Sequence, residues 1–444
     1  MDNTALAEAT IKTCLKKGAD AAEVYLETSR NLSFEVRKGE VETVEEAAGV
    51  GAGIRVFVKG RMAFSSSNDL GEKALNDAVG RAIAFARITT SDPANVLPDD
   101  KGVTEVAGLY DPEIAGIPLD RKIELAKAAE KLAMKDPRIT KSDGARYQEA
   151  EGEITIANSN GLSKSYRAGG CGFSVSVVAE KGDQKSSGGE SCSRRFFADL
   201  KTAEEVAAKA ARDAYEALDP RPVKTQQAPV IFSTDVARAL LGGILGAVDG
   251  ERVLQGASFL AKRMGEQIGS ELITLVDDGT RPKGLGSEPF DGEGVPTEKR
   301  TIVEKGILRG FLYNTIVAAR AGVKSTGNAS RGGFTSLPGI GPHNFTMAAG
   351  AAKLEDIIRA TPSGLLLKEV TGYGINPVNG NFSGGASGFW IENGRIAFPV
   401  KGLTIAGTAD AMLNGIDMVA DDLDPDRAMA APSFRIRLLQ IGGE

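Results

Sequence analysis

Residues 228–248 read Ala228-Pro229-Val230-Ile231-Phe232-Ser233-Thr234-Asp235-Val236-Ala237-Arg238-Ala239-Leu240-Leu241-Gly242-Gly243-Ile244-Leu245-Gly246-Ala247-Val248. The apolar run Pro229–Phe232 reads as a short strand. After it, Val236, Leu240 and Ile244 recur every four residues, which places them on one face of a helix at about 235–248. Gly242 and Gly243 sit inside that helix, where each costs about 1 kcal/mol relative to Ala. Their presence predicts a close approach by another helix or backbone.

Just upstream, Asp219-Pro220-Arg221-Pro222 breaks an Ala- and Glu-rich helix at 202–218 and looks like a domain boundary. We therefore expect an N-terminal α+β domain over 1–220, with a subdivision possible near 110–137, and a β-rich C-terminal domain over 221–444. In the first, a helix over 3–17 precedes strands at 23–37, 41–47, 53–59 and 62–66. Helices at 70–88 and 119–135 flank a Pro-rich, acidic connection, and further strands are expected at 153–157, 161–166 and 173–179. In the second, short strands are expected at 271–276, 299–304, 307–312, 364–370, 388–392 and 395–400. Asn393-Gly394 between Ile391 and Ile396 is a strong type I′ hairpin signal. The fold class is α+β, with mostly antiparallel sheets and flanking helices.

Composition narrows the chemistry. The chain has 444 residues, one histidine (His343) and three cysteines (Cys14, Cys171 and Cys192). A conventional zinc site draws mostly on His and Cys, usually with two ligands close in sequence; no such spacing exists here. Lys+Arg number 53 against 59 Asp+Glu, so a basic nucleic-acid surface is not expected. The first twenty residues lack a signal-peptide pattern, no apolar run is long enough to span a membrane, and cysteines are few. The reading is a cytoplasmic, reduced protein.

Single motifs carry little. Asp277-Asp278-Gly279-Thr280 reads as a turn more readily than as a carboxylate site. Residues 421–427 (Asp-Asp-Leu-Asp-Pro-Asp-Arg) lack the Gly and terminal Glu of a calcium loop. Gly49-x-Gly51-x-Gly53 has the wrong spacing for dinucleotide binding. Lone His343 has no nucleophile elbow beside it. Trp390, after a run of small residues, fits core packing or a groove for an extended peptide. Asn328, Arg331, His343 and Trp390 are the substrate-groove candidates, each with a structural role as the alternative.

Taken together, several segments resemble one family. These are Gly18–Val24, Gly53–Ala63, Ala228–Phe232, Ala237–Val248, Gly265–Gly269, Leu272–Thr280, Phe290–Val295, Lys324–Asn328, Gly388–Gly394 and Ile405–Gly407. In collinear order along nearly the whole chain, they are similar to the TldD/PmbA family, PmbA being also called TldE. The resemblance implies a two-component cytosolic peptidase acting on unfolded or flexible peptides, linked to microcin maturation and, by older naming, to modulation of DNA gyrase. The TldD-like member would carry a metal on His-Glu-x-x-x-His in the helix opening its C-terminal half, with a further ligand near the C-terminus. In this chain those positions read Gly242, Gly243 and Ala247, and Ala428–Ser433 offers neither Cys nor His. The resemblance is thus to the PmbA-like member. It implies no metal, cofactor or catalytic residue in this chain. A TldD-like metallopeptidase subunit and extended peptides are the expected partners, with a homodimer possible in isolation. The alternatives are a non-enzymatic regulator of the gyrase-modulator type and a metal-free hydrolase using His343.

Overall fold

Four hairpins turn on Lys38-Gly39, Lys59-Gly60, Lys305-Gly306 and Asn393-Gly394, each with positive φ at both positions. That is the type I′ geometry whose twist matches the strands it joins. The computed structural model describes residues 2–372 and 374–444. Its first half runs α1 (Asn3–Lys16), β1 (Ala21–Arg37), β2 (Glu40–Val58), β3 (Arg61–Ser67), α2 (Glu72–Ala86), α3 (Leu119–Ala133), β4 (Ile139–Asn158), β5 (Ser163–Lys181), β6 (Gln184–Arg194) and α4 (Ala203–Glu216). The strands form one antiparallel sheet in the order β3-β2-β1-β4-β5-β6.

One face of this sheet is apolar. Val24, Leu26, Ile54 and Val56 pack under α1 and α2, and Phe34, Tyr147, Phe173 and Val175 under α3 and α4. Helix α4 starts on a complete capping box between Thr202 and Glu205. It lies so close to β6 that a Cβ on Gly188 would stand 2.3 Å from the Ala210 carbonyl oxygen. The alternate residues of the same strands point the other way. They are small or polar, as in the register rows Glu35–Arg146–Ser174–Ser191 and Ser33–Gln148–Gly172–Ser193.

The second half continues β7 (Gln226–Phe232), α5 (Thr234–Ala247), α6 (Gly250–Leu254), β8 (Leu275–Asp278), β9 (Lys299–Glu304), β10 (Ile307–Leu308), α7 (Thr315–Ala321), β11 (Ala329–Ser330), β12 (Gly339–Ile340) and β13 (Phe345–Met347). It ends with α8 (Leu354–Arg359), β14 (Ser363–Thr371), β15 (Asn381–Glu392), β16 (Arg395–Thr408), α9 (Ala409–Gly415), β17 (Ile416–Val419), β18 (Met429–Ala430) and β19 (Phe434–Gly442). A six-stranded sheet in the order β16-β15-β14-β7-β19-β17 and a five-stranded one in the order β10-β9-β8-β13-β18 enclose the main core. Among the described pairings between these strands only β7/β14 and β13/β18 are parallel. Helix α5 buries Val236, Leu240, Leu241 and Ile244 against this core, and Phe232 stacks on Phe434 with ring centroids 5.2 Å apart. No described helix is long and apolar enough to cross a membrane.

The α+β class with antiparallel sheets stands as expected. The strands of the first half are longer than their sequence pattern suggests. β2 runs unbroken through Gly49, Gly51 and Gly53, and β5 through Gly169, Gly170 and Gly172. These glycines mark close approach rather than a break: a Cβ on Gly51 would meet the Phe334 ring at 2.3 Å.

Candidate functional site

Gly242 and Gly243 of α5 differ sharply in their surroundings. A Cβ on Gly242 would meet nothing within 4 Å. On Gly243 it would stand 2.6 Å from Ile375 Cβ and 2.7 Å from the Ile375 carbonyl oxygen, and on Gly246 3.2 Å from Pro377. Segment 374–377 therefore lies along this helix face, which explains Gly243 and Gly246; nothing in the structure explains Gly242. It is pinned in turn by Asn376 N–H donating to the Asn381 carbonyl at 2.8 Å. Ala247 is buried, and its carbonyl accepts from Ser258 Oγ at 2.6 Å. No side chain at 242, 243 or 247 can ligate a cation. Among the described residues no three His, Cys, Asp or Glu side chains converge to hold an ion. The donor set here does not fit a catalytic metal. Burial also pushes the Cys14 and Cys171 thiols up to about 12, so neither is a thiolate near neutrality.

The second polar cluster forms where the halves meet. Asp277, at the end of β8, accepts the His343 backbone N–H on Oδ1 at 2.8 Å. Its Oδ2 accepts from Asn328 Nδ2 at 2.7 Å and faces His343 Nδ1 at 3.1 Å. His343 Nε2 faces Glu288 Oε1 at 3.2 Å, and Glu288 Oε2 accepts the Tyr166 hydroxyl at 2.9 Å. Burial disfavours a charged imidazole, but Asp277 and Glu288 outweigh it and hold His343 up to about 10. At neutral pH both ring nitrogens are protonated and both donate to carboxylates. Such an imidazolium has no lone pair with which to act as a general base. The doublet at 277–278 divides its work. Asp278 makes the expected turn, accepting from Thr280 N at 2.9 Å, while Asp277 is buried as the anchor of His343.

A third cluster is wholly buried. Arg55 Nη2 reaches Glu23 Oε2 at 2.7 Å and Glu293 Oε1 at 2.8 Å. Arg331 pairs with the other oxygen of Glu23 and donates through Nε to the Gly292 carbonyl at 2.6 Å. Burial raises the cost of charge on Glu23, but Arg55 and Arg331 hold its carboxyl below the usual range. Asp291 beside it accepts three backbone N–H groups, from Glu293, Val295 and Ala329. Burial and then the Glu293 charge still push it up to about 7. Arg195, after β6, donates to the carbonyls of Gly169, Gly284, Leu285 and Ser287, clamping the first half to the second.

Of the four residues singled out from the sequence, Asn328 and His343 meet directly on Asp277. Arg331 joins the Glu23–Arg55 network, and Trp390 packs in the core of the second half. All four side chains are buried. Open space lies elsewhere: a cavity of about 920 Å³ sits between α3 and the β1–β2 turn, and two more lie on the small-residue face of the six-stranded sheet of the first half. A cavity of about 700 Å³ is lined by Ser29, Asn31, Ser33, Gly152, Ala168 and Gly170 among others. A second, of about 550 Å³, follows along the same face and shares Arg146 with the first. The 421–427 loop reaches this face, with Asp426 2.6 Å from Arg194. No signal within a single strand marks the trough in the sequence, because its small polar residues line up only across the register of neighbouring strands.

This architecture is shared with known proteins. The PmbA/TldA metallopeptidase C-terminal domain matches residues 225–443, the central domain 112–218, and domain 1 22–86. The chain belongs to the PmbA/TldD family. "Metalloprotease PmbA" of Escherichia coli O157:H7 is 34% identical over 444 residues, covering 98% of this chain and 96% of its relative. A "Metalloprotease PmbA homolog" of Haemophilus influenzae is 33% identical, covering 98% and 94%. Among solved structures, TldE from Thermococcus kodakarensis superposes with a TM-score of 0.91 at 27% identity, covering 99% and 100%. A Bacteroides thetaiotaomicron protein described as a candidate modulator of DNA gyrase superposes at 0.92 and 28% identity, covering all of both chains.

Proposed function

We propose that this chain is the PmbA-like, metal-free subunit of a two-component peptidase, working with a TldD-like metallopeptidase subunit on unfolded or flexible peptides. The observation that carries the proposal is the face of α5, where Gly242, Gly243 and Ala247 replace ligating side chains and Ile375 is packed onto Gly243. The relatives' metallopeptidase names supply the reaction class, and the lack of donors on this face supports a partner as the carrier of the metal. The trough supports a peptide as the occupant: small residues along the sheet face let a backbone approach. The outer edge of β2 adds a ladder. β3 pairs only with residues 52–58 of β2, so among the described residues 40–51 have no neighbour on that side. An extended chain can add there as a strand, gaining affinity from backbone hydrogen bonds without reading sequence.

The test is to purify the chain alone and with a TldD-like subunit, then measure bound zinc and cleavage of disordered peptides. The proposal expects no zinc and no turnover alone, and zinc-dependent turnover in the pair. Chelator-sensitive turnover by the isolated chain would overturn it. The gyrase reading is separated by capture from native extract: gyrase subunits without a metallopeptidase companion would favour it.

A further inference from the structure

The free edge of β2 is bounded at both ends. Pairing with β3 begins at Ala52. Towards the hairpin tip the β1–β2 register slips between Glu35 and Val36, so that Glu42 has no partner and forms a bulge. A bulge bends its strand and ends the regular ladder. Between these limits Thr43–Gly51 is a regular run, and its outward N–H and C=O groups meet no strand among the described residues. Sheets commonly protect such an edge with lysine or proline. This segment has neither, and it leaves Val44 53% and Val50 40% exposed.

About Ala47 the segment is self-complementary. In an antiparallel pair of two copies centred there, Ala47 faces its equivalent. Val44 of one copy then faces Val50 of the other, Glu45 faces Gly49, Glu46 faces Ala48 and Thr43 faces Gly51. Both glutamates stand opposite residues with little or no side chain, and no like charges are directly opposed. The two Glu46 side chains are diagonal neighbours across the axis, and each is held by its own Arg30 at 2.8 Å. The valines lie on the face of β2 that follows Phe34, and β-branched residues set opposite each other stabilise a strand pair. Neighbouring registers fail. Centred on Glu46, the pair sets that glutamate against itself. Centred on Ala48, it runs Val44 onto Ala52, where β3 already pairs. A two-fold axis perpendicular to the sheet keeps each residue on its own face, so the centre must fall on a residue.

We propose that two copies of this chain join edge to edge at β2, antiparallel and centred on Ala47, which merges their two six-stranded sheets into one. Peptide addition at β2 would use the same backbone groups, so the isolated chain closes its own ladder and peptide competes with the second copy. The pairing itself does not depend on the peptide reading.

Sedimentation velocity of the full chain over a concentration series tests this. A reversible monomer–dimer equilibrium is expected, because the contact is short. Val44→Lys/Val50→Lys sets lysine opposite lysine at both ends of the ladder and should raise the dimer dissociation constant about tenfold. Val44→Lys/Val50→Glu alters the same positions but sets lysine opposite glutamate, and should recover most of that loss. Both valines are exposed, and melting midpoints equal to the parent's show that the variants are folded. A chain that stays monomeric up to its solubility limit overturns the proposal, as does a dimer that the double lysine leaves intact. Equal weakening by the two variants overturns the register centred on Ala47. Excess disordered peptide should shift the parent towards monomer; a dimer indifferent to peptide overturns the peptide reading of this edge and leaves the pairing of copies standing.

Discussion

The two adjacent glycines of α5 should respond to the same substitution with opposite sign. Gly242 is exposed, and a Cβ there meets nothing within 4 Å. Gly242→Ala should therefore gain the full helix-propensity difference, about 1 kcal/mol. Gly243→Ala gains the same term but drives a methyl group to 2.6 Å from Ile375 Cβ and 2.7 Å from its carbonyl oxygen. Ile375 is 1% exposed, and its segment is held by the Asn376–Asn381 and Gly380–Asn376 backbone bonds, so it cannot swing aside. Overpacking of this kind costs about 1–3 kcal/mol. The net is a loss of about 0–2 kcal/mol, and the two variants should differ by about 1–3 kcal/mol. Parallel urea titrations of the two variants and the parent measure this directly. Equal stabilisation by both would show that segment 374–377 does not rest on the helix, and the account of why Gly243 is a glycine would fall with it.

Other outcomes follow from the same geometry. Gly242→His/Gly243→Glu/Ala247→His, which writes into α5 the metal motif that the resemblance implies for a TldD-like chain, should still bind no stoichiometric zinc by elemental analysis, because Ile375 occupies the space at 243; a tight 1:1 complex would contradict this. His343 is raised from 6.5 to about 10, so its charge contributes stability that is complete below pH 6.5 and is lost as pH rises through 10, to a ceiling of roughly 5 kcal/mol. His343→Gln should flatten the fall in melting midpoint between pH 7 and 10; an unchanged slope would remove the ion-pair assignment. Arg55→Met leaves Glu23 and Glu293 buried without their shared cation and should cost about 3–5 kcal/mol by chemical denaturation. A neutral effect would mean that water reaches the network.

The legible parts of the sequence were those whose cause is local. Helical periodicity located α1–α5 to within a few residues, and Asn393-Gly394 named its own turn. The glycines of β2 and β5 misled, because a glycine in a strand looks the same whether it ends the strand or lets Phe334 rest on it. The short helices α7, α8 and α9 carry too few turns to show a period. The candidate site was legible only in part. His343, Asn328 and Arg331 stood out, but Glu23, Arg55 and Glu288 did not. Their significance comes from partners 32 to 308 residues away, and nothing in their own neighbourhoods records those contacts. The trough was invisible for a related reason: small polar residues stand out only once register aligns them across strands.

The Glu23–Arg55–Glu293–Arg331 network also bears on how the chain is made. Glu23 precedes Arg331 by 308 residues. At roughly 5–20 residues per second, the ribosome delivers the second guanidinium some 15–60 s after the first carboxylate. Throughout that interval the nascent first half holds charges destined for burial and must keep them wetted. The face of β1 and β2 that carries Glu23 and Arg55 therefore stays uncovered by Glu293 and Arg331 until the second half emerges. Translation order, rather than sheet topology alone, decides when this protein can close.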